Sequence, residues 1–312
     1  MIQVTADVFS GRPNPTWEIA DAGEIRSALS ELASNRGLID SHAAALNGLG
    51  QLRGFHIDIQ SDETAAEFDL GTSVFVPLSA DRGDGRLHAL AERLIGLASA
   101  NGVAAGAAAS GIQAAQVIGH TDLQAFLRGK LGRETGTTAP DSNATAEAEA
   151  ASAQETAAVT CMIEFGAYNP GFWNNDATVR TRNNCYNYAS NKRTNTFAQP
   201  GRGSGHIYTA VTCPAVTKAA LSDGLHQRFV CFPDSEKPRY LVALVVAPGP
   251  GFIDFHWYRK NSEGFWSHKA GGTAVRNVDN SNRIITDPAT CNRGPYTQFC
   301  GYFYTCRSQR IN

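Results

Sequence analysis

The first 160 residues of this 312-residue chain contain no cysteine, and methionine occurs only at positions 1 and 162. Other absences narrow the reading further. No apolar run approaches the roughly 20 residues that a membrane-crossing helix requires, which argues against a membrane partner. CxxC pairs are missing, so a thiolate zinc site is not expected, and no cofactor motif stands in its place. Aromatic residues are not interleaved with any basic run, which removes the usual footprint of a nucleic-acid partner. The opening MIQVTADVFSGRPNP has neither a basic leader nor a continuous apolar stretch, so it does not read as a secretory signal.

What is present describes a globular chain with an uneven charge map. Hydrophobic residues make up 42% and charged residues 18%, and the length suffices for two domains that each bury a core. The net charge of −2 conceals an acidic stretch and a basic one. Residues 1–158 carry 10 Lys+Arg against 20 Asp+Glu, and residues 159–312 carry 17 against 9. The two parts are therefore expected to attract each other, or the basic part to meet a polyanionic polymer.

Composition marks the divisions. Residues 1–132 read as an acidic α+β domain, 133–157 as an Ala/Glu/Thr-rich linker, and 158–312 as a second, cysteine-bearing domain. In the first, alternation predicts strands near 1–9, 54–60 and 71–79, with GRPNP at 11–15 as a turn. Helical spacing predicts helices over 23–35, 86–100 and 121–131. In the second, strands are expected over 159–167, 239–249, 253–259, 264–269 and 301–306, and a helix over 214–225. The fold class is α+β, with a helix packed on an antiparallel sheet in the C-terminal domain.

All seven cysteines, Cys161, Cys185, Cys213, Cys231, Cys291, Cys300 and Cys306, fall in that second domain. Their segregation suggests disulfides and hence an extracellular or cell-envelope location, while the missing leader leaves the cytoplasm open. Seven is odd, so one sulfur is left over within a single chain. The short interval between Cys213 and Cys231 suggests one bridge; Cys161 would then join one of Cys291, Cys300 and Cys306, whose other two would pair.

Cys161 or Cys306 could be the unpaired sulfur, but the context of Cys185 favours it as a free nucleophile over a disulfide half. In RNNCYNYASNK it follows Asn183 and Asn184, good helix-capping residues, so it falls on a first helical turn where backbone N–H groups favour a thiolate. A base would come from a strand across that helix. IDFHWYR supplies His256, and FWSHK, on the next strand, supplies His268 twelve residues later to orient it. Asn183, Asn184 and a free N–H are candidates for an oxyanion, Tyr168 and Trp173 lie upstream of the cysteine, and Asp287, Asn277 or Asn292 are substitutes for His268 as orienter. His206, His226, His56 and His88 stand without supporting spacing and receive no role.

The order of NCYNYA, HWYR and WSHK resembles NlpC-type peptidases of the papain-like superfamily, and also the CHAP amidases. That likeness implies a papain-like fold and cleavage of a peptide or amide bond, commonly in a peptidoglycan-like cell-wall polymer. NCYNYA stands where NlpC enzymes carry a DCSGF-like string, and the interval from Cys185 to His256 is longer than in their compact members. The wider string NCYNYASNKRTNTFAQPGR…DFHWYRKNSEGFWSHKAGGTAV…ITDP is similar to the insoluble matrix shell protein family, known from mollusc shell matrix and from bacterial proteins, over roughly residues 160–306. GRPNPTW at 11–17 resembles segments of bacterial proteins. Three functions follow as expectations: a thiol hydrolase using Cys185, His256 and His268; an acyl or amine transferase using the same residues; or a non-catalytic matrix or binding module on that frame.

Overall fold

In a computed structural model of the chain, the described residues are 1–39, 48–78, 85–98, 120–131, 163–227 and 233–312. The expected linker at 133–157, together with Cys161 and Cys231, lies outside them.

The N-terminal half builds an antiparallel sheet from β1 (Ile2–Asp7), β2 (Thr16–Ile19), β3 (Gly54–Ile59) and β4 (Ser73–Pro77), ordered β2-β1-β3-β4. Among the described residues four α-helices accompany it: α1 (Ala22–Ser34), α2 (Asp62–Glu67), α3 (Gly85–Gly96) and α4 (His120–Leu131). Asp21 starts α1 by accepting the Glu24 N–H, and Ser61 does the same for α2 through Thr64. Ile25, Leu29 and Leu32 of α1, Leu87, Leu90 and Leu94 of α3, and Leu123 and Leu127 of α4 recur at helical spacing and join Val4, Ile57 and Val74 in one core. Strand β2 and helix α2 are too short, at four and six residues, to announce themselves by periodicity.

The C-terminal half begins with three short helices, α5 (Gly171–Asn174), α6 (Ala177–Arg182) and α7 (Cys185–Ser190), followed by α8 (Cys213–Ser222). A five-stranded antiparallel sheet follows, made of β5 (Leu241–Pro248), β6 (Ile253–Lys260), β7 (Trp266–Lys269), β8 (Val275–Arg276) and β9 (Gln298–Tyr304), ordered β8-β7-β6-β5-β9. Of the strand expected over 159–167, the described part forms only an isolated bridge between Gly166 and Asn261. Cys213 is bonded to Cys300 rather than to Cys231, so the disulfide ties the start of α8 to β9 across 87 residues. Proximity in sequence misled here because β9 returns beside β5, against which α8 packs.

Strands β5 and β6 are buried at every interior position instead of alternately. Such strands need cover on both faces, which is what the continuous apolar run LVALVV encodes. On one face Val242, Leu244, Val246, Phe255 and Trp257 pack with Cys185, Tyr186 and Ala189 of α7 and Val216 and Ala220 of α8. On the other face Ala243, Val245, Ala247 and Tyr258 belong to the same cluster as the N-terminal sheet and helices. The two halves therefore share one hydrophobic core.

Polar groups fasten this seam. The buried Asp254 carboxylate accepts the backbone N–H groups of Ser10 (2.6 Å), Gly11 (3.2 Å) and Arg12 (2.9 Å), and the Tyr296 hydroxyl at 2.5 Å. Three N–H groups from GRPNP and its flank thus converge on one acid from β6. Gly11 is required by contact, since a Cβ there would lie 2.3 Å from the Phe255 ring. Alongside, the buried Arg53 guanidinium donates to Asp7 (2.8 Å) and to the Val8 and Phe9 carbonyls (3.1 and 2.8 Å).

Candidate functional site

Helix α7 opens on Cys185 because Asn184 caps it. The Asn184 side chain accepts the N–H groups of Tyr186 (3.1 Å) and Asn187 (3.2 Å), and Asn187 returns a bond to the Asn184 N–H at 3.2 Å. The same cap consumes the Tyr186 and Asn187 N–H groups as possible oxyanion donors. Asn184 Nδ2 is also committed, to the carbonyls of Gly11 (2.9 Å) and Ala198 (2.7 Å). Asn183 donates to Val179 O (2.8 Å) and Asn195 Oδ1 (2.7 Å) and accepts the Asn195 N–H. Neither asparagine is available as an oxyanion donor.

The Cys185 sulfur is unbridged and 0% exposed, and its polar neighbour, the Phe255 carbonyl, lies 4.0 Å away. Burial pushes the thiol well above its ordinary value, and the nearby Asp254 charge adds to the rise. The effect is opposite to the activation expected from a helix start, because desolvation of the sealed sulfur outweighs what the six-residue α7 can supply.

The two imidazoles meet each other but not the sulfur. Successive side chains of a strand point to opposite faces. Phe255 and Trp257 pack against α7, so Asp254, His256 and Tyr258 point away from it. His268 is directly opposite Tyr258 in the β6–β7 register and shares that far face, while Ser267 and Lys269 face α7. The contacts agree: Ser267 bonds the Tyr188 hydroxyl of α7 at 2.5 Å, and His256 Nε2 lies 2.9 Å from His268 Nδ1. The Cys185–His256–His268 triad expected from spacing does not assemble. An interval of twelve residues and a helix-to-strand order cannot reveal on which side of a sheet an imidazole emerges.

The hydrogen-bond chain assigns the tautomers. His268 Nε2 sits 3.0 Å from the Val278 carbonyl, which can only accept, so Nε2 carries the proton and Nδ1 is bare. His256 must then donate through Nε2, which leaves its Nδ1 as a buried acceptor with no partner. Burial, followed by the neighbouring His268 and Arg53 charges, lowers His256 well below the ordinary value; burial also lowers His268, to about 4. Val278 O therefore orients His268. Asp287 instead accepts the Tyr302 hydroxyl and the Ala289 N–H, Asn277 O accepts the Ile285 N–H, and Asn292 bonds Asp279 and Ser281. Tyr168 donates its N–H to Glu263 and stacks edge-on against Phe265, its phenol pushed up to about 12 by burial. Trp173 is buried against Tyr188.

On the Cys185 side of the sheet lie the buried cations Arg259, whose Nη1 donates to the Tyr188 carbonyl at 3.1 Å, and Lys269, 0% exposed, whose Nζ donates to the carbonyls of Arg180, Asn183 and Gly271. Burial brings Lys269 down to about 7. It ties the α6–α7 turn to β7. The alternation that placed His268 on one face of WSHK placed Lys269 on the other, and a lysine at a buried strand position was the legible sign. Cys291 and Cys306 are also unbridged. Among the described residues, no group of three or more His, Cys, Asp or Glu side chains is arranged to hold a metal ion, and no helix is long and apolar enough to cross a membrane.

The molecule is thus an α+β protein with a disulfide-tied antiparallel sheet covered on both faces. The chain belongs to the insoluble matrix shell protein family: it is 46% identical over 156 residues to Insoluble matrix shell protein 1 of Ruditapes philippinarum, a match covering 50% of this chain and 99% of that relative. No family model matches the chain. No solved structure matches it.

Proposed function

We propose that this protein is a non-catalytic extracellular matrix module, in which the Cys–His–His order serves packing instead of hydrolysis. The observation that carries this reading is the sheet itself: β6 separates the sealed Cys185 sulfur from His256 and His268. A thiol hydrolase, or a transferase using the same groups, needs a thiolate with a base in hydrogen-bond reach and an open acyl site. None of the three requirements is met by the groups around Cys185. The likeness to a shell matrix protein and the Cys213–Cys300 disulfide favour an oxidising, extracellular setting. Any papain-like character rests on element order, a short cysteine-bearing helix before antiparallel strands, and is an analogy of frame.

Alkylation separates the readings. Iodoacetamide added to the native protein is expected to modify the half-buried Cys291 first and Cys185 only after unfolding, read by peptide mass mapping. Rapid native alkylation at Cys185, with loss of an amide-hydrolysing activity, would overturn the proposal.

A further inference from the structure

Where the two halves meet, a cavity of about 270 Å³ opens between β1, β2 and β3 on one side and the α6–α7 region on the other. Its polar lining comes from both halves. Thr5, Thr16, Thr181 and Thr196 contribute hydroxyls, and His56 and Arg202 contribute nitrogens. Two of those nitrogens, His56 Nε2 and Arg202 Nε, are buried with no hydrogen-bond partner. Buried donors and acceptors are ordinarily paired, so two orphans in one cavity mark a place built for a third party.

The chemistry of the missing partner follows from the lining. Arg202 spends Nη1 on the Thr196 carbonyl at 3.2 Å, leaving the Nε edge of its guanidinium unused, and among the described residues no acidic side chain lines the cavity to neutralise it. That edge accepts a carboxylate in two parallel bonds. The threonine hydroxyls keep acceptor capacity after their own bonds, Thr5 to Thr16 at 3.0 Å and Thr181 to Ala177 O at 2.8 Å, and so match a polyol. Phe197 supplies an apolar wall while held at a φ of 51°, a left-handed conformation that costs energy for an aromatic residue and that recurs at ligand sites. Gly272 keeps the floor open, since a Cβ there would lie 3.0 Å from His56 Nε2. The volume falls at the small end of ligand sites and suits a single ring.

We propose that this seam cavity binds an acidic sugar residue, a hydroxylated six-membered ring bearing a carboxylate, with the carboxylate on Arg202, the hydroxyls on the threonines and His56, and a ring face on Phe197. The cavity uses neither Cys185 nor the His256–His268 pair, so its failure would leave the non-catalytic reading intact.

The test is calorimetric titration of the full chain with glucuronate, glucose and acetate, which separate the acidic ring from the ring alone and the carboxylate alone. Glucuronate is expected to bind saturably, with the other two at least about tenfold weaker. Arg202→Gln is expected to weaken glucuronate about tenfold, and Gly272→Ala to weaken it by crowding His56 while leaving Tm unchanged. Should Arg202→Gln fail to fold, Gly272→Ala decides. Competition by a polyglucuronate identifies a polymer as the source of the ring, and competition by the monosaccharide alone identifies the free sugar; either supports the site. Absence of saturation up to about 10 mM, equal binding of all three probes, or wild-type affinity in Gly272→Ala would overturn it.

Discussion

Asp254 is a buried acid whose partners are the N–H groups of Ser10, Gly11 and Arg12 and the Tyr296 hydroxyl. Burial raises its pKa, so its anionic form depends on those donors to offset desolvation. Asp254→Ala strands several buried donors at once and is expected to cost about 3–5 kcal/mol in urea unfolding; a loss below about 1 kcal/mol would show that the clamp is dispensable. His268 makes a second prediction. Its folded pKa, about 4, lies below the unfolded value near 6.5, so the unfolded chain binds more protons between the two. The contribution is complete above pH 6.5 and is lost as pH falls toward 4, amounting to about 3 kcal/mol. Burial also raises Asp254 and lowers His56, so the slope is read as the difference between the native chain and His268→Gln. Identical pH profiles would refute the assignment.

At the scale of elements, Lys269 and the disulfide do comparable work by different means. Lys269→Met leaves three carbonyls around α6, α7 and β7 without a donor, and a loss of about 2–4 kcal/mol is expected by thermal melting. Reducing Cys213–Cys300 reopens a long loop, worth about 4–5 kcal/mol on a chain-entropy account; an unchanged denaturation midpoint after reduction would contradict it. Most of these elements were legible beforehand. Helical spacing gave α1, α3 and α4, composition gave α8, the apolar run gave β5, and strand propensity with a hairpin-length turn gave β6 and β7. The asparagine pair put Cys185 on the first turn of α7, where Asn184 is the cap. Beyond reach were β2, α2 and β8, too short to show a period, and the face from which each strand side chain emerges. That last quantity decided the site: His256 was correctly put on a strand beside His268, but one register step separates a residue that meets Cys185 from one that cannot.

Over the whole molecule, the reading of two domains joined by a linker overlooked what the LVALVV run already implied, a sheet needing cover on both sides. The N-terminal half supplies that second cover, and the Asp254 clamp and Gly11 contact fix it in place. Introducing a protease site within 134–157 and cutting there is therefore expected to leave the two fragments co-eluting in size-exclusion chromatography under native conditions. Elution of a free N-terminal fragment would show that the common core does not hold them.

The Cys213–Cys300 bond has a mechanical side as well. A chain pulled from its ends can surrender the segments outside the covalent ring, but the 87-residue interval stays reeled in. At roughly 3.3–3.6 Å per residue, about 300 Å of contour is withheld. In a tensioned fabric that reserve would be released only by a reductant, so the redox state of the surroundings would set how far each molecule can stretch before it tears.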